Sequence, residues 1–453
     1  MTATSRRSLT GGVIGTFVEW YDFVIYGLSA PALAAHFFPK SASTTALLGT
    51  FAIYAIAYFA RPLGGLVFGL IGDRMGRINT LSTTVLLMGG ATVATGLLPD
   101  FGQIGITATV LLVICRLIQG FSSGGETSGG YTYIIECAPS DRRALWVSTG
   151  ICAAFLPAVL VSLTILGVTA AVGKEAYSEW GWRVPFLGGG VLSVVGLWLR
   201  RSLEDSTEFN DAARERAITG TQSKHRLSLM TILTGVLLIA VQAVSGPLLV
   251  GYMFTFLIQV GKLSSGAAMY TNLAAILLVV ALLPAFGVLS DRIGRKPMMF
   301  GGTLWLLITV YPAMKLAASG TIWGAFVGQA LIAISHAMFA AGGFVAILEL
   351  FPTSVRYTGH AVAYNVAFAL FGGTSPLVSH ALVVAMDSPI APAYYVMAIA
   401  ALALVVIRFT PETRHVHLRN AVAADDNLNA LSGTDTVRIN TAHDGLGPER
   451  WLG

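Results

Sequence analysis

The stretch Gly69-Leu-Ile-Gly-Asp-Arg-Met-Gly-Arg77 packs three charges and three glycines between two long apolar runs, and a variant of it returns as Gly287-Val-Leu-Ser-Asp-Arg-Ile-Gly-Arg-Lys296. Asp73 and Asp291 stand 218 positions apart in a chain of 453 residues, close to half its length. A second pattern behaves the same way: Glu136, Pro139 and Arg143 recur as Glu349, Pro352 and Arg356, each displaced by 213. Either loop alone reads as a solvated turn that retains positive charge. Two unrelated motifs recurring at nearly one offset read instead as a duplicated half, because a generic loop has no reason to repeat.

Composition says where such a chain lives. Hydrophobic residues make up 55% and charged residues 11%, with a mean hydropathy of +0.71, far more apolar surface than a soluble domain can cover. This predicts an all-α polytopic membrane protein. Cys115, Cys137 and Cys152 give neither a disulfide framework nor a zinc-like spacing. The net charge of +5 is spread over short loops and forms no patch, so nucleic acid is excluded as a partner. The first apolar stretch is long and carries Glu19 and Asp22, which predicts no cleaved signal peptide.

A helix needs roughly 20 apolar residues to cross a bilayer. On that ruler twelve runs stand out, at about 11–36, 44–71, 79–98, 104–135, 143–172, 182–200, 229–259, 266–289, 298–317, 321–350, 357–385 and 391–409. They predict an N-terminal six-helix bundle over 1–200, a polar cytoplasmic linker over 201–228, a C-terminal six-helix bundle over 229–410 and a disordered cytoplasmic tail over 411–453. Apart from Arg61 and Arg116 inside helices, only Lys40, Lys174, Arg183, Lys262 and Lys315 do not fall on the face that carries the termini. The excess of Lys and Arg on that face puts both termini, and both repeated loops, in the cytoplasm. Six crossings return the chain to its starting side. The two bundles therefore share one orientation, with a pseudo-twofold axis along the membrane normal and a site between them.

At the cytoplasmic face the glycines permit tight reversal and close helix approach. The expected gate comprises Gly69, Asp73, Arg74, Gly76, Arg77, Glu136 and Arg143 in the first half and Asp291, Arg292, Gly294, Arg295, Glu349 and Arg356 in the second. Within it Arg77 would reach Glu136, and Arg295 would reach Glu349.

The chemistry is expected within the helices. Glu19, Asp22 and Tyr26 are spaced i, i+3, i+7 and share one helix face, and acids deep in an apolar helix mark functional sites by default. Arg116 is a candidate partner: deprotonated Asp22 would pair with it, and protonated Asp22 would release it to hold an anion. A static buried ion pair is the alternative. Arg61 either adds positive potential to the cavity or pairs with a local acid, and Glu126 is either a second titrating group or a satisfied one. The glycines of the fourth run report close packing. The second half has no Lys or Arg in the middle of its apolar runs, but it does have His336, His360 and His380, read mainly as packing residues, together with Gln242, Tyr252, Tyr364 and Asn365, whose groups can orient a small polar solute. His415 and His417 lack companions for a metal, and no cofactor is expected beyond a coupling proton.

These motifs carry a resemblance. Both repeated loops match the signature of the major facilitator superfamily, and the layout resembles it over residues 10 to 410. The chain is similar in particular to the metabolite:proton symporters, the permeases for α-ketoglutarate, citrate, shikimate and proline/betaine. It resembles them through Glu19-Trp-Tyr-Asp-Phe23, Arg61-Pro-Leu-Gly-Gly65, Arg116-Leu-Ile-Gln-Gly120 with Gly124-Gly-Glu126, Trp180-Gly-Trp-Arg-Val-Pro-Phe186, Phe351-Pro-Thr-Ser-Val-Arg356 and Phe371-Gly-Gly-Thr-Ser-Pro376. Proton-coupled sugar porters of the superfamily resemble it too, with an acid in helix 1 and an arginine in helix 4, which implies Asp22 as the proton carrier. Arg116, Tyr26, Arg61, Gln242, Tyr252, Tyr364 and Asn365 are then the expected substrate contacts. The resemblance implies a monomeric inner-membrane symporter, not an enzyme, that takes up a small organic acid or zwitterion from among lipids. The rival readings are a sugar or polyol porter and a metabolite receptor that moves nothing.

Overall fold

The computed structural model describes residues 3–39, 43–75, 77–124, 127–201, 229–351 and 356–416, with the side chains of 3–15, 43–44, 69–81, 127–129, 133, 137, 199–201 and 357 outside that description. Twelve helical spans account for nearly all of it, and no strand occurs among the described residues. They are α1 (Ala3–Leu28, followed by a short helix Ala30–Phe37), α2 (Ser43–Met75), α3 (Arg77–Leu97), α4 (Ile106–Ser123, resuming as Thr127–Cys137), α5 (Arg143–Val172) and α6 (Arg183–Arg201) in the first half. The second half holds α7 (Leu229–Gln259), α8 (Ser265–Ile293), α9 (Arg295–Ala317), α10 (Ile322–Leu350), α11 (Arg356–Ala367, continuing to Met386) and α12 (Ala391–Phe409). Among the described residues nine of these are long and apolar enough to cross a membrane, and Ser82–Leu97 and Arg183–Trp198 are shorter apolar stretches.

The burial pattern is that of a protein solvated by lipid. Leu63, Leu66, Val191, Ile308 and Val405 are more than half exposed on the outside, while Glu19, Asp22, Arg61, Arg116 and Gln119 are buried. Hydrocarbon cannot satisfy backbone hydrogen bonds, so the chain stays helical wherever it meets lipid, and the polar side chains turn inward to find partners.

At each repeated loop one helix ends and the next begins within a single residue, so the turn is as tight as the glycines allow. Only residue 76 separates α2 from α3, and only Gly294 separates α8 from α9. Gly294 has φ +108°, a conformation a side chain would strain. Within the first half α2 and α4 press together at Gly120 and Gly124, whose Cα atoms lie where any Cβ would strike the Ala57 and Arg61 carbonyls. The halves meet along α5 with α8, α2 with α11, and α1 with α7. At the last contact a Cβ on Gly27 would lie 3.0 Å from the Gly251 Cα.

Three short π-helical segments interrupt the second half: Leu248–Tyr252 in α7, Ala340–Phe344 in α10 and Phe368–Gly372 in α11. Each widens one helix turn and turns side chains toward the interface between the halves. Such bulges recur at functional sites.

Candidate transport site

Residues of α1 divide by face. Glu19, Asp22 and Tyr26 point into the first bundle, while Trp20, Phe23 and Val24, at i, i+3, i+4, line a cavity between the halves. The cavity has an empty volume of ≈ 590 Å³. Its wall is largely aromatic, with Tyr54, Tyr131 and Phe155 from the first half and Phe344, Tyr364 and Phe368 from the second. Gln242 and His336 supply polar atoms from the second half. The three π segments contribute Val250 and Gly251, Phe344, and Phe368.

The two acids of α1 have different partners. Arg61 Nη2 donates to Glu19 Oε1 at 2.6 Å, both side chains fully buried. Of the two readings of Arg61, pairing with a local acid is the one the coordinates show. Asp22 Oδ1 accepts from Thr92 Oγ1 and from Gln119 Nε2, the latter at 3.1 Å. Its Oδ2 has no hydrogen-bond partner among the described residues.

The direct pair expected between Asp22 and Arg116 is absent, because Gln119 stands between them. Arg116 Nη1 donates to Gln119 Oε1 at 2.9 Å and weakly to the Asp22 backbone carbonyl at 3.4 Å. Since a guanidinium only donates, the amide orientation is fixed: oxygen toward Arg116, nitrogen toward Asp22. Among the described residues Arg116 Nε and Nη2 have no partner, and the guanidinium stacks on Tyr26 at 4.3 Å and on Phe23 at 5.1 Å. Arg61 stands over the same Phe23 ring at 4.2 Å.

Both arginines therefore lie one aromatic layer behind the cavity and do not line it. Of the expected substrate contacts, Gln242 and Tyr364 line the cavity, and the others are placed elsewhere. Tyr26 donates to the Thr50 carbonyl at 3.0 Å. Tyr252 packs edge-on to Phe51 and His380 across the far end of the α1–α7 contact. Asn365 donates to the Gly124 carbonyl at 3.3 Å and so ties α11 to α4. Glu126 lies outside the described residues. Sequence reasoning missed Thr92, Gln119 and most of the aromatic wall. The spacing of Trp20, Phe23 and Val24 and the i+3 position of Gln119 after Arg116 were the available signals.

At the end of the bundles that carries the repeated loops, Arg295 pairs with Glu349 at 3.2 Å and with Asp291 at 2.8 Å. Glu136 receives Arg356 of the other half at 2.9 Å, and Arg143 lies 3.7 Å from Glu349; the expected contact of Arg77 with Glu136 lies outside the described residues. Asp291 also accepts the backbone N–H groups of Ala144 and Leu145 at the start of α5, at 3.0 and 2.9 Å. The side chains of Gly69, Asp73, Arg74, Gly76 and Arg77 lie outside the described residues. Glu412, past α12, accepts the N–H groups of Arg295 and Lys296, each at 2.9 Å, and so caps α9. Burial works against its charge, but those two N–H groups and that of Arg414 outweigh it and hold the carboxyl below its ordinary range. Among the described residues no cluster of metal-ligating side chains is present.

Comparison with known proteins agrees with this architecture. Residues 10–223 match the family described as sugar (and other) transporter, and residues 259–441 match the one described as Major Facilitator Superfamily. An ectoine/proline transporter of Corynebacterium glutamicum is 34% identical over 424 residues, covering 90% of this chain and 84% of the relative. The proline/betaine transporter of Escherichia coli K12 is 31% identical, covering 93% and 87%. A glycine betaine/proline/ectoine/pipecolic acid transporter of Dickeya dadantii is 31% identical, covering 93% and 86%. Among solved structures, the E. coli xylose transporter in a partially occluded inward-open conformation superposes with a TM-score of 0.73 at 18% identity, over 92% of this chain and all of that one. Twelve helices in two bundles, the duplicated loops and these relatives agree: the chain is a transporter, not an enzyme, and belongs to the major facilitator superfamily.

Proposed function

We propose that the protein is a proton-coupled symporter of the inner membrane that takes up a small zwitterion of the proline, betaine or ectoine kind, with both termini in the cytoplasm and one chain as the working unit. The observation that carries this reading is the pairing of an aromatic cavity with a buried acid that touches no cation directly. Aromatic faces attract an organic ammonium group, and the Arg116 guanidinium behind Phe23, which has no carboxylate on it among the described residues, supplies positive potential for a carboxylate. A sugar wants many hydrogen-bonding groups around it, whereas this wall is mostly ring and alkyl.

Asp22 suits the coupling role because a proton can bind at Oδ2 without tearing an ion pair apart. Protonation weakens its hold on Gln119, Gln119 loosens Arg116, and Arg116 shifts against Phe23 and Tyr54, which face the solute. Glu19, locked to Arg61, is the static member. The bundles rock about the cavity. The cytoplasmic gate is the ion-pair cluster of Glu136, Arg143, Glu349 and Arg356, and the outer one is the Gly27–Gly251 contact with Phe51, Tyr252 and His380.

The test is uptake by proteoliposomes carrying an inward pH gradient. Accumulation of labelled proline above equilibrium is expected in the wild type, while Asp22→Asn should equilibrate solute and still exchange it. Accumulation by Asp22→Asn equal to wild type would refute the assignment.

A further inference from the structure

Two buried polar atoms of the cavity wall lack a hydrogen-bond partner among the described residues: the indole Nε1 of Trp20 and the amide Oε1 of Gln242. Trp20 is on α1 and Gln242 on α7, the opening helices of the two halves, so each half brings one unpartnered polar group, a donor from the first and an acceptor from the second, to the lining of the cavity. Gln242 is 6% exposed, so its free oxygen has little water to compensate it.

The orientation of that amide follows from its neighbours. Ser245 Oγ donates to the Val241 carbonyl at 2.7 Å, so toward His336 Nδ1, 2.8 Å away, it acts as the acceptor. The proton of the neutral imidazole is then on Nδ1, and Nε2 offers a lone pair. Gln242 Nε2 donates to that lone pair at 2.8 Å. The chain Val241–Ser245–His336–Gln242 thus leaves the amide oxygen aimed away from His336 with nothing to accept from.

Resting on the zwitterion reading above, we propose that Trp20 and Gln242 read the two ends of one solute. Trp20 Nε1–H donates to the carboxylate, and Gln242 Oε1 accepts an N–H from the ammonium, so the transporter selects zwitterions that keep an N–H over fully N-methylated ones. The aromatic wall attracts both kinds of cation alike. Only the N–H satisfies the buried oxygen, and a solute without one leaves it desolvated and unpaired, the situation in which polar sites reject close analogues. Ser245 lies outside the cavity lining, and His336, which borders the cavity, has both ring nitrogens engaged by Ser245 and Gln242; both act as positioning residues for the amide.

The experiment is proteoliposome counterflow of labelled proline against unlabelled proline, N-methylproline and N,N-dimethylproline, which share ring and carboxylate and differ only at nitrogen. In the wild type the first two should compete within about threefold of each other, and the dimethyl compound should need about tenfold more. Gln242→Met should weaken proline about tenfold and leave the dimethyl compound unchanged, closing the gap. Trp20→Phe should weaken all three alike. Ser245→Ala should narrow the gap in part, which a purely structural role would not do. Equal competition by all three in the wild type, or equal weakening of all three by Gln242→Met, overturns the proposal while leaving transport intact. Absence of counterflow with every solute overturns the zwitterion reading itself.

Discussion

Arg356 of α11 reaches across the interface between the halves to Glu136 of α4 at 2.9 Å. The corresponding residues of the duplicated motif, Arg143 and Glu349, lie 3.7 Å apart in the reciprocal direction. Each half thus lends its arginine to the other's glutamate, as residues do across a twofold interface. Two contacts that break together when the bundles rock apart make a cooperative latch.

The latch makes the first prediction. Arg356 is fully buried and Glu136 about a quarter exposed, so their pair lies between an exposed and a buried one and is worth about 1 kcal/mol. Glu136→Gln should change the counterflow rate by roughly two- to fivefold with half-saturation unaltered. The exchange Glu136→Arg with Arg356→Glu should restore most of the rate. If the exchange variant stays as impaired as Arg356→Glu alone, the contact does not act as a latch.

The Glu19–Arg61 pair is fully buried, and removing one partner strands a charge at a cost of about 3–5 kcal/mol. Glu19→Gln and Arg61→Met should each lower the Tm of the purified protein markedly. The double variant should be more stable than either single one, since it leaves no unpaired charge. Tm losses that simply add would show that the pair carries no coupling.

Gly27 and Gly251 allow α1 and α7 to touch backbone to backbone. Gly27→Leu should block closure at the outer end, leaving solute binding by thermal shift within about threefold of wild type and abolishing counterflow. Normal counterflow would place the outer gate elsewhere.

Glu412 gives a dependence on pH. Its carboxyl is held below the ordinary range in the folded protein, so its contribution to stability is present above the ordinary carboxylate pKa and is lost as pH falls through the lower folded value. The Tm difference between wild type and Glu412→Gln should therefore be full at pH 7 and shrink below about pH 4. A difference that grows on acidification would contradict the cap at α9.

The repeated loops and the length of the apolar runs carried most of the fold, because bilayer thickness and duplication leave their mark on one dimension of sequence. Within a half, Arg295 finds Glu349 as spacing implied. The pairing of Glu136 with Arg356 and of Arg143 with Glu349 across the halves was not legible: in a duplicated chain the same motif is available at equal chemical cost within a half and across it, and only the docking of the halves decides. Gln119 escaped notice because a neutral amide has no charge to demand a partner, yet it separates Asp22 from Arg116. The aromatic wall was hidden among rings that mostly fill cores. What distinguishes Trp20 and Phe23 from Tyr26 is a turn of the helix face, visible only once the neighbouring helices are in place.

Asp22 is proposed to carry the proton that moves with the solute. This is tested most directly by adding proline to proteoliposomes loaded with a pH-sensitive dye, with no gradient imposed. The account predicts acidification of the lumen on proline addition in the wild type and none in Asp22→Asn, although that variant still exchanges proline. Proline entry without proton entry in the wild type, or undiminished proton entry in Asp22→Asn, would contradict it.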